Sequence, residues 1–278
     1  NYQIKNRIMK KSIISFLLFI VMQLVGTGLA ILFVVMPKLS QLESLSVENI
    51  QALYIDEMTN IVIWGLILSD VLTFLILWAL KYVKPAELVK KVPGKILLVS
   101  IPMVYCVMMV LNILNATMQL PDIMAEQFKS MTDSIWGFLA IAILGPVLEE
   151  VIFRRVMIDE FTKSTKRTWL AILISALLFG LVHMNPAQIP FAFAAGIFFG
   201  WMYVQTGSML PSIVGHIVNN SFAFLDMKYE WTGSGSEELS MSDPKMIATA
   251  IAFTIASAAL IYYTVKFYSN KKALEEQL

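Results

Sequence analysis

Residues 134–162 read SIWGFLAIAILGPVLEEVIFRRVMIDEFT, an apolar stretch broken in its second half by Glu149, Glu150, Arg154 and Arg155. A bilayer's hydrocarbon core is ~30 Å thick and takes roughly 20 helical residues to cross. This stretch exceeds that need, so its C-terminal part is expected to emerge on one side. An ionisable side chain at the bilayer centre costs on the order of 2.5–3.5 kcal/mol by insertion scales, and therefore marks a functional position by default.

Outward from this segment, similar apolar runs predict helices at 12–36, 60–80, 96–119, 168–185, 187–205, 209–226 and 246–267, which with 134–162 makes eight spans. The composition is 58% hydrophobic and 15% charged, with mean hydropathy +0.71, whereas soluble domains carry about 25% charged residues. The fold class expected is therefore all-α, a polytopic membrane protein. The run 12–36 is too long for a signal-peptide core of about 7–15 residues and is read as a retained helix. A net charge of +1 argues against nucleic acid as a partner, and the single Cys106 allows no intrachain disulfide.

Lysine and arginine collect before the first span, over Lys81–Lys95, at Arg154, Arg155, Lys163, Lys166 and Arg167, and after the last span. The alternate connections, 37–58 and the Gly/Ser/Glu-rich 226–243, are acidic or neutral. Positive charge marks the cytoplasmic side, which places both termini there. The 226–245 loop is then a flexible external turn. Three regions follow: 1–133, holding the first three helices and their loops; 134–226, holding helices four to seven; and 227–278, with the external loop, last helix and tail.

Three clusters carry polar chemistry inside these spans: Gly145 to Arg155, Phe179 to His183, and His216 to Asn220. Both histidines of the chain fall within them. Glu150 and Arg154 are four residues apart with the acid first, the favourable order for a helical ion pair. Glu149 is turned roughly 100° away, with no basic residue one turn from it, and suits a general base. At 1.5 Å rise, Glu149 lies ~22 Å from the start of its helix and His183 ~22 Å from the start of the next, while His216 and Asn220 lie ~10 and ~16 Å along theirs. One site below the cytoplasmic surface can gather all four.

Such a set permits two chemistries. A carboxylate and a histidine can deprotonate a water, with the second histidine and the asparagine amide steadying the oxyanion. Alternatively Glu149, His183 and His216 can hold a divalent metal such as zinc with a bound water, although no His-Glu-x-x-His spacing is present. A proton-coupled transporter, a non-catalytic peptide-binding scaffold, and haem ligation by His183 and His216 are the competing readings. Asp70, Asn112 and Asn115 are expected to form interhelical hydrogen bonds, and the Gly196-x-x-x-Gly200 stripe to let a neighbouring helix approach closely.

Glu149-Glu150-x-x-x-Arg154, Phe179-x-x-x-His183 and His216-x-x-x-Asn220, with the run Thr206–Ile213 ahead of the last, resemble the three-part signature of the CAAX-protease and bacteriocin-processing family of intramembrane proteases. The resemblance covers about residues 134–224. It implies an eight-helix fold with a conical cavity open to cytoplasm and lipid. It further implies that Glu149 activates water with His183, that Glu150, Arg154 and Phe179 support the arrangement, and that His216 and Asn220 bind the oxyanion or complete the water site. The substrate implied is a peptide or membrane-anchored protein, and the setting a bacterial cell membrane with lipid as the constant partner. Members tied to bacteriocin immunity are those the short chain most resembles.

Overall fold

The computed structural model describes the backbone of residues 2–88, 90–231 and 244–275. The described residues are helical with no strand, and they form an all-α polytopic membrane fold. Eight helices dominate: α1 (Tyr2–Val34), α2 (Met58–Ala79), α3 (Gly94–Ala116), α4 (Ile135–Thr165), α5 (Thr168–Leu181), α6 (Ile189–Thr206), α7 (Leu210–Tyr229) and α8 (Pro244–Glu275). Residues 232–243, most of the loop expected to be a flexible turn, lie outside the described residues.

Six of the eight are long and apolar enough to cross a membrane: α1, α2, α3, α4, α6 and α8. The expectation of eight spans is not met in full. α5 has 14 residues, a rise of ~21 Å, short of the hydrocarbon thickness. α7 is long enough but carries His216, Asn219, Asn220, Asp226 and Lys228, and this polar load keeps it below the apolar measure.

α4 is the centre of the molecule, packed against α1, α2, α5, α6 and α7, while α3 holds α7 and α8. It is not a uniform α-helix. Leu139–Leu144 and Glu150–Ile158 are wound as π-helix, on either side of a single α-turn at Gly145–Glu149. Such widened turns cost helix hydrogen-bond geometry and gather at functional sites. Phe153, fully buried on α4, is met edge-on by Phe16 and Phe19 of α1 and Phe179 of α5.

Tight turns fix the order of α4 to α7. Lys166 ends α4 in the left-handed conformation, and Gly207 ends α6 the same way at φ +62. Pro190 and Pro211 open α6 and α7 in the first turn, where a missing N–H costs nothing. The Gly196/Gly200 stripe faces α5 as expected: a Cβ on Gly196 would stand 3.0 Å from Ala176 and 3.1 Å from Phe179, and one on Gly200 3.0 Å from Ile172.

Candidate active site

α4 supplies two carboxylates to one imidazole. His216 Nδ1 lies 3.0 Å from Glu150 Oε1, and His216 Nε2 lies 3.6 Å from Glu149 Oε2. The turn between consecutive helical residues, which separates Glu149 from Glu150, sends them to opposite edges of the ring. A carboxylate only accepts, so Nδ1 carries the hydrogen and donates to Glu150, leaving Nε2 as the basic nitrogen toward Glu149. The ring lies almost flat on Phe199, with centroids 5.0 Å apart at 25°, which fixes its plane.

Glu150 and Arg154 are both wholly buried and 3.1 Å apart. The contact is an ion pair rather than a hydrogen bond: none of the guanidinium nitrogens has a hydrogen-bond acceptor among the described residues. Their remaining neighbours are rings: Arg154 Cζ stands 4.5 Å from the centre of Phe179 and 5.7 Å from that of Phe199. Cation–π attraction in a desolvated place is worth about 2 kcal/mol and takes over part of the work of water. Phe179 also meets His183 and His216 edge-on.

His183 differs from its sequence reading. α5 stops at Leu181, and Met184 adopts φ +48, so His183 stands in the turn rather than inside a helix. Asn185 precedes Pro186, which disfavours helical backbone just before it and explains the early end. His183 Nδ1 donates to Phe179 O at 2.8 Å. The histidine in contact with Glu149 is thus His216, while His183 lines the same cavity.

Asn220 is aimed by a proline. Gly145 N–H bonds Ala140 O, five residues back. In that register Ile141 O needs the N–H of residue 146, which is Pro146 and has none. Asn220 Nδ2 fills the gap, donating to Ile141 O at 3.0 Å, while its Oδ1 accepts from Asn219 Nδ2 at 3.2 Å. One amide N–H of Asn220 is left for another acceptor.

A cavity of about 420 Å³ contains Glu149, His183, His216, Asn219 and Asn220 in its wall. Asp70, Gln23, Asn112 and Asn115 line it too, and Asp122 stands at its exposed end. Sequence reading gave Asp70, Asn112 and Asn115 only interhelical hydrogen bonds. Asn115 Nδ2 does donate to Ala187 O at 2.8 Å, but no motif revealed that these residues share a cavity with Glu149. The signal that existed was Asp70 itself, an ionisable group within a span.

The cavity runs from Glu149 and His216 toward Asp122, Phe128, Ala187 and Gln188, in the connections where α3 ends and α4 begins and where α5 ends and α6 begins. Lys81–Lys95 and Lys166 lie at the opposite boundary. An opening toward the basic boundary, as the resemblance implied, is not what the lining shows.

Among the described residues no three His, Cys, Asp or Glu side chains are grouped to hold a metal ion. His183 and His216 each commit only Nδ1, which leaves Nε2 open in both, but Glu149, His183 and His216 are not grouped closely enough to hold an ion in this arrangement.

Residues 131–222 match the family described as Type II CAAX prenyl endopeptidase Rce1-like. The chain is 32% identical over 90 residues to the membrane-embedded CAAX protease MroQ of Staphylococcus aureus (strain USA300), covering 31% of this chain and 36% of MroQ. It is 32% identical over 84 residues to YdiL of Bacillus subtilis (strain 168), provisionally named a membrane peptidase, covering 30% of this chain and 34% of YdiL. The uncharacterized YyaK of the same organism is 30% identical over 170 residues, 56% of each chain. The match thus spans about a third of the length of MroQ and YdiL and about half that of YyaK. No solved structure matches. The similarity to the Rce1-like type II CAAX prenyl endopeptidases thus falls on residues 131–222, about a third of the chain, from the connection before α4 to the middle of α7.

Proposed function

We propose that the protein is an intramembrane endopeptidase that hydrolyses a peptide bond with a water activated between Glu149 and His216. The observation that carries this reading is the imidazole bracketed by two carboxylates, buried Glu150 on Nδ1 and cavity-lining Glu149 at 3.6 Å from Nε2. A gap of 3.6 Å is too long for a direct hydrogen bond, and a water beside it reaches both atoms. The match of residues 131–222 to the type II CAAX prenyl endopeptidase family and the likeness to MroQ support the peptidase class.

The water's oxygen attacks the carbonyl carbon as its proton passes to Glu149 or Nε2. Glu150 holds the ring in the tautomer that leaves Nε2 basic and steadies the imidazolium when it forms. The remaining N–H of Asn220 donates to the oxyanion, while His183, its Nδ1–H already given to Phe179 O, keeps an accepting Nε2. Collapse expels the amine, which takes the proton back from the Glu149–His216 pair, leaving an amine and a carboxylic acid that then loses its proton to solvent. Arg154 and Phe179 hold Glu150 and His216 in place. No step runs through a metal. The substrate is a peptide or membrane-anchored protein whose cleaved bond enters the cavity from the lipid or its boundary.

Comparative peptidomics of cells making the intact protein or Glu149→Ala at matched levels tests this. New peptide termini dependent on Glu149 are expected. Identical peptidomes, with both proteins folded and abundant, would overturn the peptidase reading and favour the transporter or scaffold.

A further inference from the structure

The turn that carries His183 is held from a connection outside the residues that match the family. Between α5 and α6 the chain runs His183-Met184-Asn185-Pro186. Met184 adopts φ +48 with its side chain exposed, a left-handed conformation uncommon for residues with a side chain. Such a conformation persists only where its surroundings over-determine it. Before Met184, the bond from His183 Nδ1 to Phe179 O ties the chain to α5. After Met184, Asn185 supplies the anchor.

Asn185 is wholly buried, and both polar atoms of its side chain are used. Its Nδ2 donates to Asp122 Oδ1 at 2.7 Å, and its Oδ1 accepts from the Ile123 N–H at 3.3 Å. Its main-chain O accepts from the N–H groups of Gln188 and Ile189 at 2.8 and 3.0 Å, where α6 opens. Asp122 Oδ1 is itself set by the Met124 N–H at 3.0 Å, a side-chain turn across two residues. Asp122 and Ile123 lie between α3 and α4, ahead of residue 131 where the family match begins. The bond from Asn115 Nδ2 to Ala187 O ties the same turn to the end of α3.

We infer that Asp122, acting through Asn185, is a positioning residue for His183. With Nδ1–H committed to Phe179 O, His183 offers Nε2 as an acceptor in the cavity wall, and a peptide substrate brings N–H groups to it. Loss of the Asp122 oxygen leaves buried Asn185 Nδ2 without its acceptor, an arrangement costly enough to make the turn rearrange. Met184 then relaxes toward ordinary backbone and carries His183 with it. The effect on hydrolysis rests on the peptidase reading, whereas the placing of His183 does not.

The full chain, isotope-labelled in its histidine rings and read by nuclear magnetic resonance, tests the placing. The chain has two histidines, so His183→Gln assigns the His183 signals. The intact protein should show one set of His183 ring signals, with the hydrogen on Nδ1. Asp122 is exposed, so its replacement keeps the fold. Asp122→Ala should give His183 a mixture of tautomers and leave the His216 signals in place. It should also slow cleavage of a peptide whose hydrolysis depends on Glu149 by roughly 10- to 100-fold, as a misplacement of ~1 Å does. Asp122→Asn keeps an acceptor oxygen and should hold the His183 signals, with cleavage within about threefold of the intact protein. Glu126→Ala removes one negative charge from the same connection and should change neither readout. Unmoved His183 signals in Asp122→Ala would overturn the inference. So would Asp122→Asn behaving like Asp122→Ala, since the charge and not the bond would then matter. If no peptide shows Glu149-dependent cleavage, the peptidase reading falls, while the His183 signals still decide whether Asp122 places the ring.

Discussion

Glu149 and Glu150 are neighbours in sequence with opposite expectations for stability. Glu149 is partly exposed to the cavity and neutralises no buried cation, so Glu149→Gln should abolish hydrolysis while shifting unfolding by no more than about 1 kcal/mol. Glu150→Gln strands Arg154, which is wholly buried between two phenyl rings. Removing one partner of a buried pair costs about 3–5 kcal/mol. Glu150→Gln with Arg154→Met should therefore be more stable than Glu150→Gln alone, and a double-mutant cycle on detergent-solubilised protein reads the difference. If the single variant melts like the intact protein, the pair is not a structural clamp. The pairing of Glu150 with Arg154 was legible in the four-residue spacing, and so was the separation of the two carboxylates. That both would reach His216 was not legible, because spacing within one helix says nothing about the rotation of another.

The elements show where periodicity informs and where it fails. The glycine stripe of α6 was readable, and its contact with Ala176 and Phe179 makes Gly196→Val a test of how α5 is held. The variant should push Phe179 off Arg154 and His216, lowering both activity and melting temperature. The π-wound turns of α4 were not readable, since they arise from tertiary packing and from a proline that leaves one carbonyl without an N–H. Pro146→Ala restores that N–H for Ile141 O, frees Asn220, and should reduce hydrolysis several-fold with little loss of stability. Undiminished turnover would show that Asn220 does not depend on this bond. At the other end of α2, the Lys38 ammonium and the Asn60 amide bonded to Glu57 hold its carboxyl below the usual range. A depressed folded value means the contribution is full above the unfolded value of about 4.3 and is lost as pH falls through the folded one. Hydrogen-exchange protection in the 36–58 segment, taken relative to the intrinsic rate at each pH, should accordingly be unchanged from neutral pH to about pH 5 and fall below about pH 4.

At the scale of the molecule, the two membrane boundaries differ in how their lysines are used, and this difference bears on which side the cavity serves. Lys38, Lys129 and Lys228 at one boundary each face a carboxylate, Glu57, Glu230 and Asp133 respectively. The other boundary gathers the basic runs of the sequence, Lys10 and Lys11, Lys81 to Lys95, and Lys163, Lys166 and Arg167. Excess positive charge stays in the cytoplasm, so the boundary holding Asp122 and Phe128 should face outward, and the cavity with it. The chain offers a clean test, since its single cysteine, Cys106, is buried on α3 and contributes little background to thiol labelling. Glu126→Cys in the connection before α4 should react with a membrane-impermeant maleimide on intact cells. Lys91→Cys in the connection before α3 should react only after permeabilisation. That outcome would mean a substrate reaches Glu149 from the outer face or from the surrounding lipid at that depth. The reverse pattern would mean that charge does not set the orientation here, and that the carboxylate-lined cavity receives its substrate from the cytoplasm.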